Sequence, residues 1–165
     1  EYVLKKDQEE YKIDDFRKII CTDEIIFESP GYEIPMISIS RFPYPEYHTH
    51  LDNPGIISED RLQGSVEYIL GILDILEKDF TPIRKFKGIP SLANPKYDLY
   101  IDPGQPAVDG TEIISENLKV FRDALFRYLE GDHTVFDIAE HFDLPFEFVH
   151  DYMMEFKNKD LIKRK

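Results

Sequence analysis

The sequence predicts an α/β segment followed by a small helical domain, and two contrasts along the chain predict this division. A short alternating run at 36–40 precedes a long amphipathic pattern at 58–79, which is the strand-then-helix order of α/β proteins. Prolines and glycines then interrupt the pattern, and shorter helical patterns follow. We therefore divide the chain into residues 1–80, a Pro/Gly-rich linker at 81–105 and a second domain at 106–165.

The first part contains one predicted strand and two predicted helices. The alternating, β-branched run from Met36 to Ser40 predicts the strand. Thr22 is expected to cap a short helix, and Ser58 is expected to cap a longer one that runs to about Asp79. The longer helix carries apolar side chains at three- and four-residue steps, so we expect this stripe to pack into the core. The stripe consists of Leu62, Val66, Ile69, Leu70, Leu73 and Leu76.

The second domain predicts three helices and a short strand. The first helix covers Ser115 to Gly131, Thr134 and Asp137 form a capping box before the second, and Pro145 takes the first position of the third. Lys159–Ile162 predicts the strand. The positions expected in the core are Leu118, Phe121, Leu125, Tyr128, Leu129, Val135, Ile138, Ala139, Phe142, Phe146, Val149, Met153 and Phe156.

Charge and composition exclude several classes of function. The net charge is −13, and both parts are acidic, with 12 basic and 20 acidic groups in the first 105 residues and 8 and 13 in the last 60. Such surfaces disfavour nucleic acid and anionic membranes as partners. No apolar run approaches the roughly 20 residues of a membrane span. The single Cys excludes an internal disulfide and fits a cytoplasmic location.

The segment from Tyr44 to Asn53 points most directly to chemistry. It holds His48, His50 and Asp52, and its prolines favour an extended backbone after the predicted strand, where α/β sheets bind ligands. In an extended segment the two histidines project on the same side. A neutral imidazole beside a carboxylate is a typical zinc arrangement. The alternative is a surface loop whose histidines only form hydrogen bonds, and spacing alone favours that alternative.

Longer sequence matches to a known family bear on the choice between a zinc site and a surface loop. Tyr47-His48-Thr49 with Asp52 resembles the Tyr-His-Thr-x-x-Asp segment that closes the metal site of zinc-dependent aminopeptidases. The wider pattern resembles a bacterial aminopeptidase-like group that is associated with polysaccharide biosynthesis. The matching runs are Thr22-Asp23-Glu24, Ser29-Pro30-Gly31, Ile34-Pro35, Tyr44–Asn53, Ile56-Ile57-Ser58-Glu59 and Leu62-Gln63-Gly64-Ser65. The last 60 residues resemble the winged helix-turn-helix domain that follows the peptidase-like domain in that group.

The resemblance implies an α/β fold and a metal-dependent hydrolase. Residues 1–80 would form the C-terminal part of an aminopeptidase-like, phosphorylase/hydrolase-type mixed-sheet domain, and residues 106–165 a winged helix. It implies zinc as the cofactor, His48 as one ligand, and a peptide-like or other amide as the substrate. The lower-ranked site candidates are Asp52, Asp23, Glu24, Tyr47 and His50; for Asp23, a helix-start carboxylate is an equal alternative.

The sequence also departs from the group. Cys21-Thr22 stands where the group has Gly-Ser, and His50 stands where it has Ser. The family's first His, its bridging Asp and its Glu pair, which includes the general base, have no counterpart here, so no catalytic residue is assigned. We therefore expect the C-terminal part of a longer protein, or one piece of a split one, that hydrolyses no peptide alone.

Two further functions compete with the hydrolase. In a non-catalytic interaction protein, the winged helix would bind a protein partner and the α/β part would be structural; a homo-oligomer is compatible with either reading. A DNA-binding regulator is disfavoured, because the helix at Pro145–Asn158 presents Glu147, Asp151 and Glu155 and contains no Arg for guanine.

Overall fold

The chain forms two compact units. The computed structural model describes residues 11–15, 17–19, 21–41, 43–102 and 115–165. The units are Glu1–Ile69 and Leu70–Lys165, and the division falls within a single long helix. The predicted domain boundary near residue 106 lies outside the described residues.

The described ranges contain short helices, one long helix and a small antiparallel sheet. The helices are α1 (Glu24–Phe27), α2 (Glu59–Lys78), α3 (Ser115–Ala124), α4 (Val135–His141) and α5 (Phe146–Asn158), with 3₁₀ turns at Pro54–Ile56 and Leu125–Tyr128. The strands are β1 (Pro82–Arg84) and β2 (Ile162–Arg164). The architecture is thus mixed helix with a two-stranded sheet, compatible with the α/β class. No helix in these ranges combines the length and the apolar character needed to cross a bilayer.

The predicted strand at residues 36–40 is wrong. These residues lie outside any strand, and their side chains are exposed. The backbone N–H of Met36 donates to the Glu28 carboxylate (2.9 Å) instead of to a neighbouring strand. A strand is maintained by its ladder of bonds to a partner, and the described sheet consists of β1 and β2 alone. The alternating pattern of side chains at residues 36–40 was therefore not enough to produce a strand.

The long helix α2 is confirmed, but its predicted packing is not. The Ser58 hydroxyl accepts from the backbone N–H of Arg61 (3.4 Å), and acidic residues occupy the first turn while Lys78 lies in the last. The six stripe side chains, however, are 44–70% exposed. The expected burial of the stripe is therefore wrong for the described part of the chain.

The hydrophobic core lies in the second unit, where α4 packs against α5. Of the thirteen predicted core positions, all but Tyr128 are buried, and Phe146, Val149, Met153 and Phe156 from α5 are completely buried. The capping box is confirmed, since the Thr134 hydroxyl accepts from the Asp137 backbone N–H (3.1 Å) and the reciprocal bond is 2.8 Å. Pro145 is the N-cap of α5 rather than its first residue.

A small sheet borders this core. Pro82 pairs with Arg164 and Arg84 with Ile162 in antiparallel register. On its other side, β1 receives a further bridge, because the backbone N–H of Arg84 donates to the Leu129 carbonyl (2.8 Å). Helix α3 ends at Ala124, before the predicted Gly131, and β2 starts at Ile162, the last residue of the predicted strand Lys159–Ile162. Asp160 (φ +61°) forms the turn that delays β2.

Candidate functional site

His48 lies on an exposed turn. Its φ is +61°, a left-handed conformation that is incompatible with the extended segment we predicted. The turn is held by the backbone N–H of Thr49, which donates to the Glu46 carbonyl (3.0 Å), and by the Thr49 hydroxyl, which donates to the same carbonyl (2.7 Å). The backbone at His48 is therefore a turn and not an extended segment, so the predicted projection of His48 and His50 on the same side does not follow.

The imidazole of His48 is packed on one side and open on the other. Its ring lies 4.1 Å, centroid to centroid, from the ring of Tyr47, which is itself 37% exposed. Tyr47 in turn makes an edge contact with Tyr44 (5.5 Å). His48 and His50 are both exposed. Ring packing thus restricts the orientation of His48 while its surface stays accessible to a ligand.

Asp52 is engaged with a tyrosine rather than with His48. The Tyr44 hydroxyl donates to the Asp52 carboxylate (3.3 Å). Partial burial raises the pKa of the Tyr44 phenol, and the charge of Asp52 acts in the same direction. Asp52 therefore positions Tyr44 in this structure, and the predicted orienting contact to His48 stays a prediction.

Asp23 and Glu24 occupy different environments. Asp23 is the exposed N-cap of α1, a position that we predicted for Thr22, and its side chain forms no capping bond. Glu24 is 4% exposed and accepts from the backbone N–H (2.8 and 2.9 Å) and the hydroxyl of Thr22. Bonds from the Thr22 hydroxyl and then from its N–H lower the pKa of Glu24, with a smaller contribution from Arg17 (3.7 Å). The carboxylate of Glu24 thus serves local structure here.

A cleft of about 690 Å³ lies beside the His48 turn within the first unit. Arg41, Tyr44, Asp52, Arg61 and Ser65 contribute to its lining, and His48 does not. The Arg41 guanidinium donates to the Ser65 hydroxyl (3.3 Å). Sequence reasoning did not single out the two arginines; the only available signal was that Arg61 and Ser65 are one helical turn apart at the start of α2.

The candidate residues do not assemble into a complete metal site. In the part of the chain that the structure describes, no three His, Cys, Asp or Glu side chains lie close enough together to hold a metal ion. The structure therefore brings Tyr47 and His48 together, and Tyr44 and Asp52 together. It places Asp23 and Glu24 on a separate helix start.

The histidines of the second unit have structural partners. His141 bonds the Tyr128 hydroxyl (2.6 Å), and His133 bonds Asp132 (2.9 Å), whose pKa it lowers. His150 bonds Asp151 (3.1 Å) and packs near the Phe146 ring. Each of these imidazoles therefore has a partner within the second unit.

Comparison with known proteins bears on both units. A family model described as "Domain of unknown function (DUF4910)" matches residues 1–79, slightly less than half of the chain. No curated protein matches the chain. A crystal structure described as a "putative peptidase" from Clostridium acetobutylicum is similar, with a TM-score of 0.65 and 21% identity. The likeness is one of fold. It covers 99% of this chain and 34% of that protein, so the chain spans about a third of the length of that protein.

Proposed function

We propose that this chain is part of a zinc-dependent, aminopeptidase-like hydrolase and contributes His48 as one zinc ligand. The observation that carries the proposal is the accessible, ring-packed imidazole of His48 on a chain whose fold matches a third of a peptidase-like protein. The substrate would be a peptide or another amide. The association of the resembled group with polysaccharide biosynthesis extends the candidates to non-peptide amides.

The side chains available as zinc ligands limit what this chain does by itself. A zinc site with catalytic function needs about three protein ligands and an open position. His48 suits one of them, and Asp52 is bonded to Tyr44. Zinc, when bound, would polarise the substrate carbonyl and lower the pKa of a bound water. We derive no step through it, because the described residues do not complete the site.

The C-terminal residues fit a winged helix in this proposal. α3, α4 and α5 precede β2, which is the order of a three-helix module with a wing strand, and α4 and α5 would be the helix-turn-helix pair. Glu147, Asp151 and Glu155 lie one turn apart and are all exposed on α5. This line of carboxylates would repel phosphates, so we assign the module to protein contact and not to DNA.

Metal content tests the proposal. The product of the complete gene should contain zinc, and His48→Ala should lower the zinc bound per chain. His50→Ala is the matched control, since it removes an exposed imidazole two residues away. The complete wild-type protein should also hydrolyse a panel of aminoacyl-anilides, and a chelator should abolish this hydrolysis. A metal-free, inactive complete product would refute the hydrolase.

An assay of the 165-residue chain tests whether it is active without the rest of the proposed hydrolase. It should hydrolyse none of the same anilides, because its described residues do not complete a metal site. Chelator-sensitive release by the purified chain would show that this assignment is wrong.

A non-catalytic interaction protein is the second candidate. The observation that favours it is the unequal packing of the chain, since the second unit holds a closed core while the first exposes most of its apolar side chains. A complete product that lacks zinc but binds a protein through the C-terminal helices would support it. A DNA mobility shift that weakens steeply with salt would instead support a DNA-binding regulator.

A further inference from the structure

Burial is distributed very unevenly along the chain. Among the described residues, every buried aliphatic or aromatic side chain other than Pro82 lies at Leu99 or later, and these side chains form the core of the second unit. Before Pro82, the described residues include one buried residue, Glu24, which is charged. Twenty of the exposed large hydrophobic residues lie between Tyr11 and Leu76. Scattered exposed apolar residues are ordinary, but such a concentration marks a surface that a further part of a folded protein covers.

Helix α2 organises part of this surface. Leu62, Val66, Ile69, Leu70, Leu73 and Leu76 are 44–70% exposed. At about 100° per residue, these positions fall within roughly a third of the helix circumference. Gln63, Glu67 and Asp74 lie along one edge of this stripe, where Gln63 donates to Glu67 (2.8 Å) and Asp74 pairs with Lys78 (2.7 Å). The side of the helix opposite the stripe is half-buried and carries Gly64, Tyr68, Gly71 and Ile75. The apolar stripe is therefore open, while the opposite side of the helix is partly covered.

The comparison indicates what covers this face. The likeness to the Clostridium acetobutylicum protein extends over 99% of this chain but over only 34% of that one. About two thirds of the peptidase-like fold thus has no counterpart in the 165 residues. The unburied region, which ends near Leu76, is also nearly the same as the region matched by the family model, residues 1–79.

Charge argues against a second copy of the same chain as the occupant. Residues 11–79 carry 14 acidic and 6 basic side chains. Five of the acidic groups and two of the basic ones are on α2 itself. Pairing two copies through α2 would bring two net-negative helices together, which is unfavourable.

We propose that the apolar face of α2 is the docking surface for the rest of a peptidase-like domain, carried on the same polypeptide. The inference rests on the fold of the proposed hydrolase but not on its zinc. In the complete gene product, the six stripe side chains pack against that remaining part. In the 165-residue chain they stay in water.

Substitution at two positions of α2 tests the proposal. Leu73→Glu places a charge in the middle of the stripe, and Gln63→Glu places the same side chain at its polar edge as a matched control. In the 165-residue chain neither variant should shift Tm appreciably, because both positions are exposed. In the complete gene product, Leu73→Glu should lower Tm by several degrees and Gln63→Glu should not. Hydrogen exchange of the α2 amides should be about tenfold or more slower in the complete product than in the 165-residue chain.

Several outcomes would overturn the proposal. One is a complete gene product that contains nothing beyond the 165 residues, and another is a Leu73→Glu variant that is as stable in it as the control. A third is a 165-residue dimer that Leu73→Glu converts to monomer, which would identify a second copy as the occupant. Zinc separates this inference from the proposed function, since a metal-free product that is destabilised by Leu73→Glu retains the docking surface and loses the hydrolase.

Discussion

Asp79 accepts a hydrogen bond from the backbone N–H of Phe136, 57 residues further along the chain (2.9 Å). The same oxygen accepts from the N–H of Phe80 (3.0 Å), and the Phe80 carbonyl accepts from the N–H of Val135 (2.8 Å). Val135 and Phe136 are the first two residues of α4. A carboxylate from the end of α2 thus caps the start of a helix distant in sequence, where unpaired N–H groups and the helix dipole favour a negative charge.

Removal of this cap should destabilise the second unit. We expect Asp79→Ala to lower the free energy of unfolding by about 1 kcal/mol, the usual loss for a capping side chain. Asp74→Ala is the matched control, since Asp74 pairs only with exposed Lys78 and should change stability by less than about 0.5 kcal/mol. Urea denaturation measures both, and equal losses would contradict the capping role of Asp79.

Gly131 should not tolerate a side chain. Its φ is +90°, and a Cβ there would lie 2.9 Å from Cγ1 of Ile83 in β1. Gly131→Ala combines an unfavourable backbone conformation with a clash, so we expect a loss of about 2 kcal/mol or more. Gly88 (φ +73°) has open space around it, so Gly88→Ala should cost about 1 kcal/mol from conformation alone. Thermal unfolding compares the two, and an equal effect would refute the close approach to Ile83.

Tyr152 should hold the segment around Leu99 against the second unit. Its hydroxyl donates to the Leu99 carbonyl (2.6 Å), and Leu99 is 6% exposed. Burial raises the pKa of the Tyr152 phenol, so the donor proton remains in place across ordinary alkaline pH. Tyr152→Phe leaves the buried carbonyl without this donor and should cost about 1 kcal/mol.

The Tyr152 prediction also has a local readout. Hydrogen exchange at residues 97–102 should accelerate in Tyr152→Phe, while exchange within α4 should change less. Tyr97→Phe is the control, because it removes a hydroxyl from the same segment. Unchanged exchange at residues 97–102 would show that the bond to Leu99 does not hold the segment.

Thr22 should control the titration of Glu24. Its hydroxyl is the largest cause of the lowered Glu24 pKa, followed by its N–H. A carboxylate with a lowered folded pKa stabilises the fold above its unfolded pKa, and this contribution is lost as pH falls through the folded value. Thr22→Ala should therefore raise the Glu24 pKa toward its ordinary value. It should remove stability that is present at neutral pH and make the stability around α1 less dependent on pH in the acidic range.

Carboxyl-detected NMR titration measures this shift directly. Thr49→Ala is the matched control, since the Thr49 hydroxyl donates to a backbone carbonyl and not to a carboxylate. It should leave the Glu24 titration unchanged. An unaltered Glu24 pKa in Thr22→Ala would show that the hydroxyl bond is not what lowers it.

Local patterns along the chain were enough to predict several features. The start and length of α2, the Thr134–Asp137 capping box and the buried face of α5 all follow from residues three or four positions apart. Such contacts form within one helix, so the sequence contains the information directly. The line of exposed carboxylates on α5 is predictable for the same reason.

Other features depended on partners far away in the sequence. Residues 36–40 alternate like a strand but have no strand beside them, whereas β1 begins with Pro82 and forms because β2 and Leu129 flank it. The sheet required the folded chain because bonds between distant segments decide it. The conformation of His48, in contrast, comes from a local turn at Glu46 that the prolines of the segment did not predict.

Sequence alone therefore determined where the main helices lie and which of their faces are apolar. Only the tertiary structure decided that the apolar face of α2 stays open, that Asp52 bonds Tyr44 and that Glu24 is buried. The physical reason is that helix formation and amphipathicity arise within a few residues of chain, while burial depends on whether a complementary surface is present.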